Sequence, residues 1–482
     1  MNVTLAGPDP EAAPDPGLAA VFDSERAPVD RLALRRFEAR LAGTDLAAAP
    51  VVLPDFHQKR SLEMPSSIAV ATRSAIHMTL TSSLLNCGMA LVALDLGEPP
   101  GERATRTFYE RFRERHPYPF SLRPVLSADE VVAAASEGAR LAVHRYDLDP
   151  TELDRVEEGG CVPVDRHGGV ERVRHEISPA VVQLGRLRFG AVGPTNHYVE
   201  LHRVTEVFDP AVAARLGVGL GQVTIGYHCG DGVLNAVLGA RFARRRAGSR
   251  WLRAVTMVEK PGYQLASARS FPQLRRRLDL YFSSACPPVP RHDDEGERLM
   301  LANAMAMNYA FAYRQATYAS VRSLARTVFG AAARLVVDSP HNTIYEERLA
   351  GERVVVHRHN ATRAYPPSMM AGHPVFAETG QPVLVPGTCR TSSYLCVGSE
   401  GGARSLYSAC HGTGSIIADF VRRGLCGPHP ERRSTLCFGY RSQEPVEVPH
   451  LDDAGVDDGL RTLVEHDVVR PVARLRPFAV LR

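Results

Sequence analysis

Lysine is almost missing from this chain: Lys59 and Lys260 are the whole complement, although Lys and Arg together number 57. Positive charge is therefore carried by guanidinium groups, which stay protonated and bind oxyanions in bidentate fashion. The cysteines lack a pattern. Nine occur, at 87, 161, 229, 286, 389, 396, 410, 426 and 437, with no Cys-x-x-Cys pair. This excludes a disulfide-stapled scaffold and favours a reducing cytoplasm, with cysteines left for metal binding or packing. No basic, apolar leader stands at the start, which also fits a cytoplasmic location. Long apolar runs are scarce as well. The stretch "SAIHMTLTSSLLNCGMALVAL" (74–94) is uncharged, but His77, Asn86 and several hydroxyls interrupt it. It reads as buried strands enclosing something polar rather than as a membrane span. No repeat and no long linker divides the body, which excludes a solenoid.

What is present is a globular composition, 44% hydrophobic and 23% charged over 482 residues, ample for a large core. The net charge of +4 permits a polyanionic partner without demanding one. Residues 1–16 are rich in Pro, Asp and Ala and read as a disordered leader to a single domain over 17–482. Helical periodicity across 100–175 predicts a helical insertion or lobe, and 302–329 predicts a long helix stopped by Gly330. The β-branched runs "ARLVVDSP", "ERVVVHRH" and "GQPVLVPGT" predict strands between Gly and Pro turns. The fold class is α+β, with a mixed or antiparallel sheet core around one site. The arginine runs at 241–250 and 273–280 read as solvated faces of amphipathic helices, with tracking of an RNA backbone as the alternative.

Four ligand-type side chains sit beside Gly, Asn or Pro, where the backbone can turn them inward: Cys87 in "LLNCGMAL", His197 in "GPTNHYVE", His228 in "IGYHCGDG" and His341 in "VVDSPHNTIYEE". A thiolate with three imidazoles suits Zn, Mn or Fe. Each taken singly is equally compatible with a hydrogen-bonded core or surface residue. Near the C-terminus, "SACHGTGSIIADF" (408–420) sets His411 before Gly412-Thr413-Gly414. Two glycines around a small hydroxyl residue let the backbone present N–H groups to an anion such as phosphate. An ordinary turn before an amphipathic helix would use the same residues.

In order along the chain, the blocks "LPDFHQ" (53–58), "NCGM" (86–89), "GPTNHYVE" (193–200), "HCGDG" (228–232), "MNYAFAYRQ" (307–315), "SPHN" (339–342), "HRHNATRAYP" (357–366), "GQPVLVPGTCRTSSY" (380–394), "CHGTG" (410–414) and "PVARLRPFAVLR" (471–482) resemble the RtcB family of GTP-dependent RNA ligases. The resemblance implies joining of an RNA 3′-phosphate or 2′,3′-cyclic phosphate to a 5′-hydroxyl, as in RNA repair or tRNA splicing, with GTP and manganese. It implies that His411 is the nucleophile that carries GMP and that Asp55 handles the incoming hydroxyl. Cys87, His197, His228 and His341 correspond to manganese ligands. Asn196, Tyr198, Glu200, Thr388, Ser393, Gly412, Gly414 and Arg482 fall where the family holds the nucleotide. An RNA with 3′-phosphate and 5′-hydroxyl ends is the implied partner, an accessory activator protein a further one, and a membrane is not. A lysine nucleophile of the Lys-x-Asp-Gly kind is unsupported, because neither lysine lies in that context.

The chain also departs from the family. Leu84 replaces an aspartate that ligates one of two manganese ions in the family, and an alkyl group cannot bind a cation, so the expectation is one ion or two with the second site in doubt; Asp231 is the candidate carboxylate to compensate. Gly232, Ser415 and Asp419 stand where the family has arginines, and Thr388 stands for a serine. Three lost guanidiniums near a phosphate dock leave three readings open. One is an RNA ligase that draws substrate arginines from elsewhere, with Arg186, Arg188 and Arg358 as candidates. The second is a guanylyltransferase acting on a non-RNA acceptor. The third is a non-catalytic GTP- or RNA-binding relative.

Overall fold

The uncharged 74–94 stretch becomes the middle of the molecule. Strand Gly88–Leu94 is buried on both faces, which is why its apolar residues run on without alternation. It pairs antiparallel with Val223–Cys229 on one side and Ala333–Pro340 on the other. The sheet continues through Tyr198–Val207, Val469–Leu481, Ser393–Gly398 and Pro382–Val385, and Ser434–Phe438 joins the end of Val469–Leu481 in parallel. In the computed structural model the described residues are 17–58, 64–82, 85–193, 196–230, 232–242, 250–283, 287–442 and 444–482. The leader at 1–16, Leu84, Asp231 and most of the 241–250 arginine run lie outside them.

A five-stranded sheet lies beside this one, in the order Ala20–Val21, Val51–His57, Ser66–Thr72, Glu352–His359, Asn342–Leu349. The protein is thus α+β, with mainly antiparallel sheets. All three β-branched runs form strands, at Ala333–Pro340, Glu352–His359 and Pro382–Val385.

The long helix starts earlier than its apolar pattern suggested. It runs Asp294–Leu324, with the Asp293 carboxylate accepting the Gly296 N–H as its cap, and a wider turn over Ala325–Phe329 carries it to Gly330 at φ 68°. The helix is buried nearly all round, so its polar residues must be satisfied inside. Asn303 donates to the Ile344 carbonyl at 3.0 Å and Asn308 to the Val162 carbonyl at 2.9 Å. Helices Glu102–Arg115, Ala128–Glu137 and Ala139–Tyr146 share its apolar core. The last two are separate because Gly138 sits at φ 61°, where a Cβ would also meet the Gly160 carbonyl oxygen at 2.1 Å.

The arginine runs are not wholly solvated. Arg277 is buried and donates to Glu295 at 2.6 Å, and Arg241 is buried against Glu259. Segments that look amphipathic in sequence therefore use guanidiniums as internal ties. Among the described residues no helix is long and apolar enough to cross a membrane.

Candidate active site

The site forms where strand ends of the two sheets meet the turn that carries His411. Asn86 takes φ 59° and turns the chain so that Cys87 enters the central sheet with its thiol inward. Gly88 is required next. A Cβ there would lie 2.8 Å from the Ser339 carbonyl oxygen and 2.9 Å from the Arg314 guanidinium carbon. The His341 N–H donates to the Cys87 carbonyl at 3.0 Å, and the Ala361 N–H donates to the His341 carbonyl at 3.0 Å. The Asn342 side chain accepts from the Asn360 N–H at 3.0 Å, and the Asn360 carbonyl accepts from the His411 N–H at 3.1 Å. Backbone hydrogen bonds, joined through the Asn342 side chain, thus fix His411 relative to His341.

The result is a cluster of soft and borderline ligands. The Cys87 sulfur lies 3.3 Å from His197 Nε2 and 3.3 Å from His228 Nε2. The ligand atoms of Cys87, His228 and His341 all fall within 4.8 Å of one another. His228 Nδ1 lies 2.7 Å from the Asn196 carbonyl, which makes Nδ1 the protonated nitrogen and leaves the Nε2 lone pair facing the thiol. Burial, then the neighbouring His197 and His411, holds the His228 imidazole well below its ordinary range; burial, then His411 and His228, does the same for His341. Neutral imidazoles are the form that binds metal. His341 Nδ1 is buried with no hydrogen-bond partner, and its ring belongs to a donor set suited to a divalent transition metal.

His411 stacks on His341, with ring centroids 3.5 Å apart and planes 11° apart, and its centroid lies 4.9 Å from that of His228. From this cluster a cavity of about 380 Å³ opens, bounded by both sheets. Asn196, His197, Tyr198, Glu200 and His228 line it along the central sheet, with Arg482 at the end of the neighbouring strand and Thr388 and Ser393 from the 386–393 turn. His411, Gly412 and Gly414 form its lip, and Asp55 and His57 close it from the second sheet. Cys87 and His341 lie behind this lining, buried. Glu200 is buried and accepts from His202 Nε2 at 2.7 Å. Ser393 accepts from the Gly387 N–H at 3.1 Å, which shapes the 386–393 turn.

Asp55 has a structural task the sequence did not reveal. Helix Gly414–Arg422 receives no cap from its own Thr413 side chain. Asp55 Oδ1 instead accepts the Ser415 N–H at 2.7 Å, the Ile416 N–H at 3.1 Å and the Ser415 hydroxyl. Its other oxygen faces His57 Nδ1 at 3.6 Å. Burial raises the Asp55 carboxyl above its usual range, against the pull of His57 and the helix N–H groups.

The positions that lost arginines are accounted for differently. A Cβ at Gly232 would sit 2.5 Å from the Tyr309 ring, so this backbone has no room there for a side chain. Ser415 turns to Asp55. Asp419 does not repel an incoming anion as a bare carboxylate would, because Arg422 and Arg423 both pair with it. Two of the proposed replacement arginines are engaged elsewhere. Arg358 is fully buried in a bidentate pair with Glu347, and Arg186 donates to the Leu126 carbonyl and Gln183. The Arg188 guanidinium lies beside Gly193 and over the Tyr118 ring, close to the His197 side of the cluster. Among the described residues Arg482 is the arginine that lines the cavity.

Sequence reasoning also missed Arg314, fully buried behind Cys87, where it pairs with Asp338 at 2.5 Å and donates to the Asn86 carbonyl. It sits in the quoted "MNYAFAYRQ" block, which was the available signal.

The family described as tRNA-splicing ligase RtcB matches residues 39–482. A tRNA-splicing ligase RtcB of Pyrococcus horikoshii is 27% identical over 82% of this chain and 44% of its own length. The Thermococcus kodakarensis protein of the same name is 27% identical over 90% of this chain and 87% of its own length. The RNA-splicing ligase RtcB of Mycobacterium tuberculosis is 28% identical over 72% of this chain and 74% of its own length. The chain thus spans under half the length of the Pyrococcus horikoshii relative and most of the other two. With a thiol and imidazole cluster, a histidine at its edge and a match across nearly all of its length, this chain belongs to the RtcB family.

Proposed function

We propose that this protein is a cytoplasmic RNA ligase that joins a 3′-phosphate or 2′,3′-cyclic phosphate end to a 5′-hydroxyl end through a histidine-GMP intermediate. The observation that carries the reading is His411 stacked on His341 at 3.5 Å, at the mouth of a cavity of about 380 Å³ walled by Glu200, Ser393 and Arg482. Cys87, His197, His228 and His341 would hold manganese, which when bound supplies positive charge against the phosphates.

The lone pair of an unprotonated His411 nitrogen attacks the α-phosphorus of GTP, forming a P–N bond as the α–β P–O bond breaks and pyrophosphate leaves. A cyclic end is first opened by water, which breaks the P–O2′ bond and leaves a 2′-hydroxyl and a 3′-phosphate; the RNA 3′-phosphate then takes the guanylyl group, breaking the P–N bond. Finally the 5′-hydroxyl attacks the activated phosphate, forming the phosphodiester and releasing GMP. The free Asp55 oxygen beside His57 takes the hydroxyl proton, and burial has already raised its basicity. Asn196 and the Gly412 and Gly414 turn receive phosphate oxygens, while Glu200 and Tyr198 bound the base and Arg482 adds a cation.

The test is joining of a labelled RNA pair bearing 3′-phosphate and 5′-hydroxyl ends by wild type and by His411→Ala. Joining by wild type alone supports the reading, and equal joining by the variant refutes it. A second reading, guanylyl transfer to a non-RNA acceptor, is favoured by one observation: Gly232, Ser415 and Asp419 leave no replacement guanidinium at their own positions. Discharge of a guanylylated enzyme by a small phosphate but not by RNA would select it.

A further inference from the structure

One wall of the cavity carries a thiol, packed in one cluster with a second, that the ligation chemistry does not use. Cys389 follows Thr388 in the 386–393 turn and lines the cavity. Cys437 lies on strand Ser434–Phe438, in register with Val480 of the C-terminal strand, and packs with Cys389 and Val480 in one small cluster. Both thiols are buried in that cluster, and Arg482 Nη1 donates to the Cys389 sulfur at 3.3 Å. Both cysteines are free.

We propose that Cys389 and Cys437 form a peroxide-oxidisable dithiol whose disulfide withdraws one wall of the nucleotide cavity. The Cys389 thiolate attacks one peroxide oxygen; an S–O bond forms, the O–O bond breaks, and the second oxygen leaves with a proton as water. Cys437 then gives up its proton and attacks the Cys389 sulfur, forming the S–S bond as the S–O bond breaks and a second water leaves. Two thiols lose two electrons and two protons in total, and one peroxide becomes two waters.

The environment divides the two roles. The neighbouring Cys437 thiol, with Arg482 adding to it against burial, brings the Cys389 thiol down to about 7, which favours its thiolate. The same pairing and burial push Cys437 up, leaving it as the proton-bearing resolving partner. Burial pushes Cys161, Cys396, Cys410 and Cys426 the other way, which sets Cys389 apart.

A disulfide draws the sulfurs to about 2.05 Å. This pulls the 386–393 turn with Thr388 toward strand Ser434–Phe438, and it removes the thiolate that holds Arg482. The effect on nucleotide rests on the reading proposed above; the disulfide itself does not.

The experiment treats reduced full-length protein with hydrogen peroxide and blocks remaining thiols with iodoacetamide. A non-reducing digest is mapped by mass spectrometry while GTP affinity is measured on the same sample before and after dithiothreitol. A peptide linked through Cys389 and Cys437, with at least tenfold weaker GTP binding that dithiothreitol restores, is the expected result. Cys437→Ser keeps the reduced-state GTP affinity, gives no linked peptide and shows no dithiothreitol-reversible loss; Cys437→Ala serves if the serine variant does not fold. Both thiols recovered alkylated, or a dead-end acid on Cys389 without the link, overturns the proposal. A linked peptide with unchanged affinity overturns its effect on the cavity. A reversible loss that persists in Cys437→Ser places the sensitivity at another cysteine, such as Cys87, and also overturns it. If reduced protein fails to bind GTP at all, the functional reading fails while the linked peptide still decides the dithiol.

Discussion

Replacing Asp338 by alanine would leave the Arg314 guanidinium charged, without a carboxylate and away from the solvent-accessible surface. Both side chains are 0% exposed, and Arg314 Nε lies 2.5 Å from Asp338 Oδ1, with Gln315 donating to the other oxygen at 2.8 Å. Breaking such a pair from one side costs about 3–5 kcal/mol, because the surviving charge keeps its desolvation penalty. With a urea m-value of about 3 kcal/mol/M, the upper end for small proteins, the midpoint falls by about 1–1.7 M, and by less if m is larger in a chain this long. The comparison is Asp419→Ala. Its partners Arg422 and Arg423 have side chains 76% and 43% exposed, and solvent screening limits that loss to about 1 kcal/mol or less. The double variant Arg314→Met/Asp338→Leu removes both charges and should regain most of the loss. Urea unfolding followed by far-UV circular dichroism reads all three. A midpoint shift for Asp338→Ala no larger than that for Asp419→Ala would refute the reasoning.

Acid should destabilise the protein through buried neutral histidines: burial holds His116 down to about 4 and His357 down to about 3. The unfolded chain then binds the extra protons, so each contribution is present above about pH 6.5 and lost as pH falls toward the folded value, about 2 kcal/mol per histidine by pH 5. His116→Gln should lose about 2 kcal/mol less than wild type between pH 7 and pH 5 in denaturant titrations; parallel profiles would contradict this. Asp55→Ala should cost about 1–2 kcal/mol through loss of the helix cap, and Asp55→Asn less, because the amide oxygen still accepts from the Ser415 and Ile416 N–H groups. Both variants should still form the GMP adduct and fail to join ends, and full joining by Asp55→Asn would remove Asp55 from the proton transfer. Cys87→Ser and His341→Ala should each weaken manganese binding by at least about tenfold in isothermal titration; unchanged binding would move the metal away from this cluster.

Much of the site was legible because its residues sit at places where the backbone must do something unusual. Cys87 follows a left-handed Asn86 and precedes a glycine, and His411 precedes a Gly-Thr-Gly turn, so local chemistry marks both in one dimension. The strands around them were legible through β-branched runs. What was not legible depends on partners far apart in sequence. Asp55 caps a helix whose first residues lie 360 positions away, and nothing local distinguishes that carboxylate from a surface one. Arg314 looks like one more arginine in an arginine-rich chain until Asp338 and the back of Cys87 appear beside it. Arg241 and Arg277 misled in the same way, since amphipathic spacing is blind to a glutamate that follows the guanidinium inward. The long helix began earlier than expected because its first turns are buried through ion pairs such as Arg277 with Glu295 rather than through apolar side chains.

The central claim is that His411 carries the guanylyl group, and retention of label after denaturing electrophoresis tests it most directly. Wild type and His411→Ala are incubated with α-labelled GTP and manganese, then denatured and exposed to acid or hydroxylamine. Label is expected on wild type alone, lost in acid as for a phosphorus–nitrogen bond. Label on His411→Ala at the wild-type level, or none on a wild-type protein that binds both GTP and manganese, would contradict it.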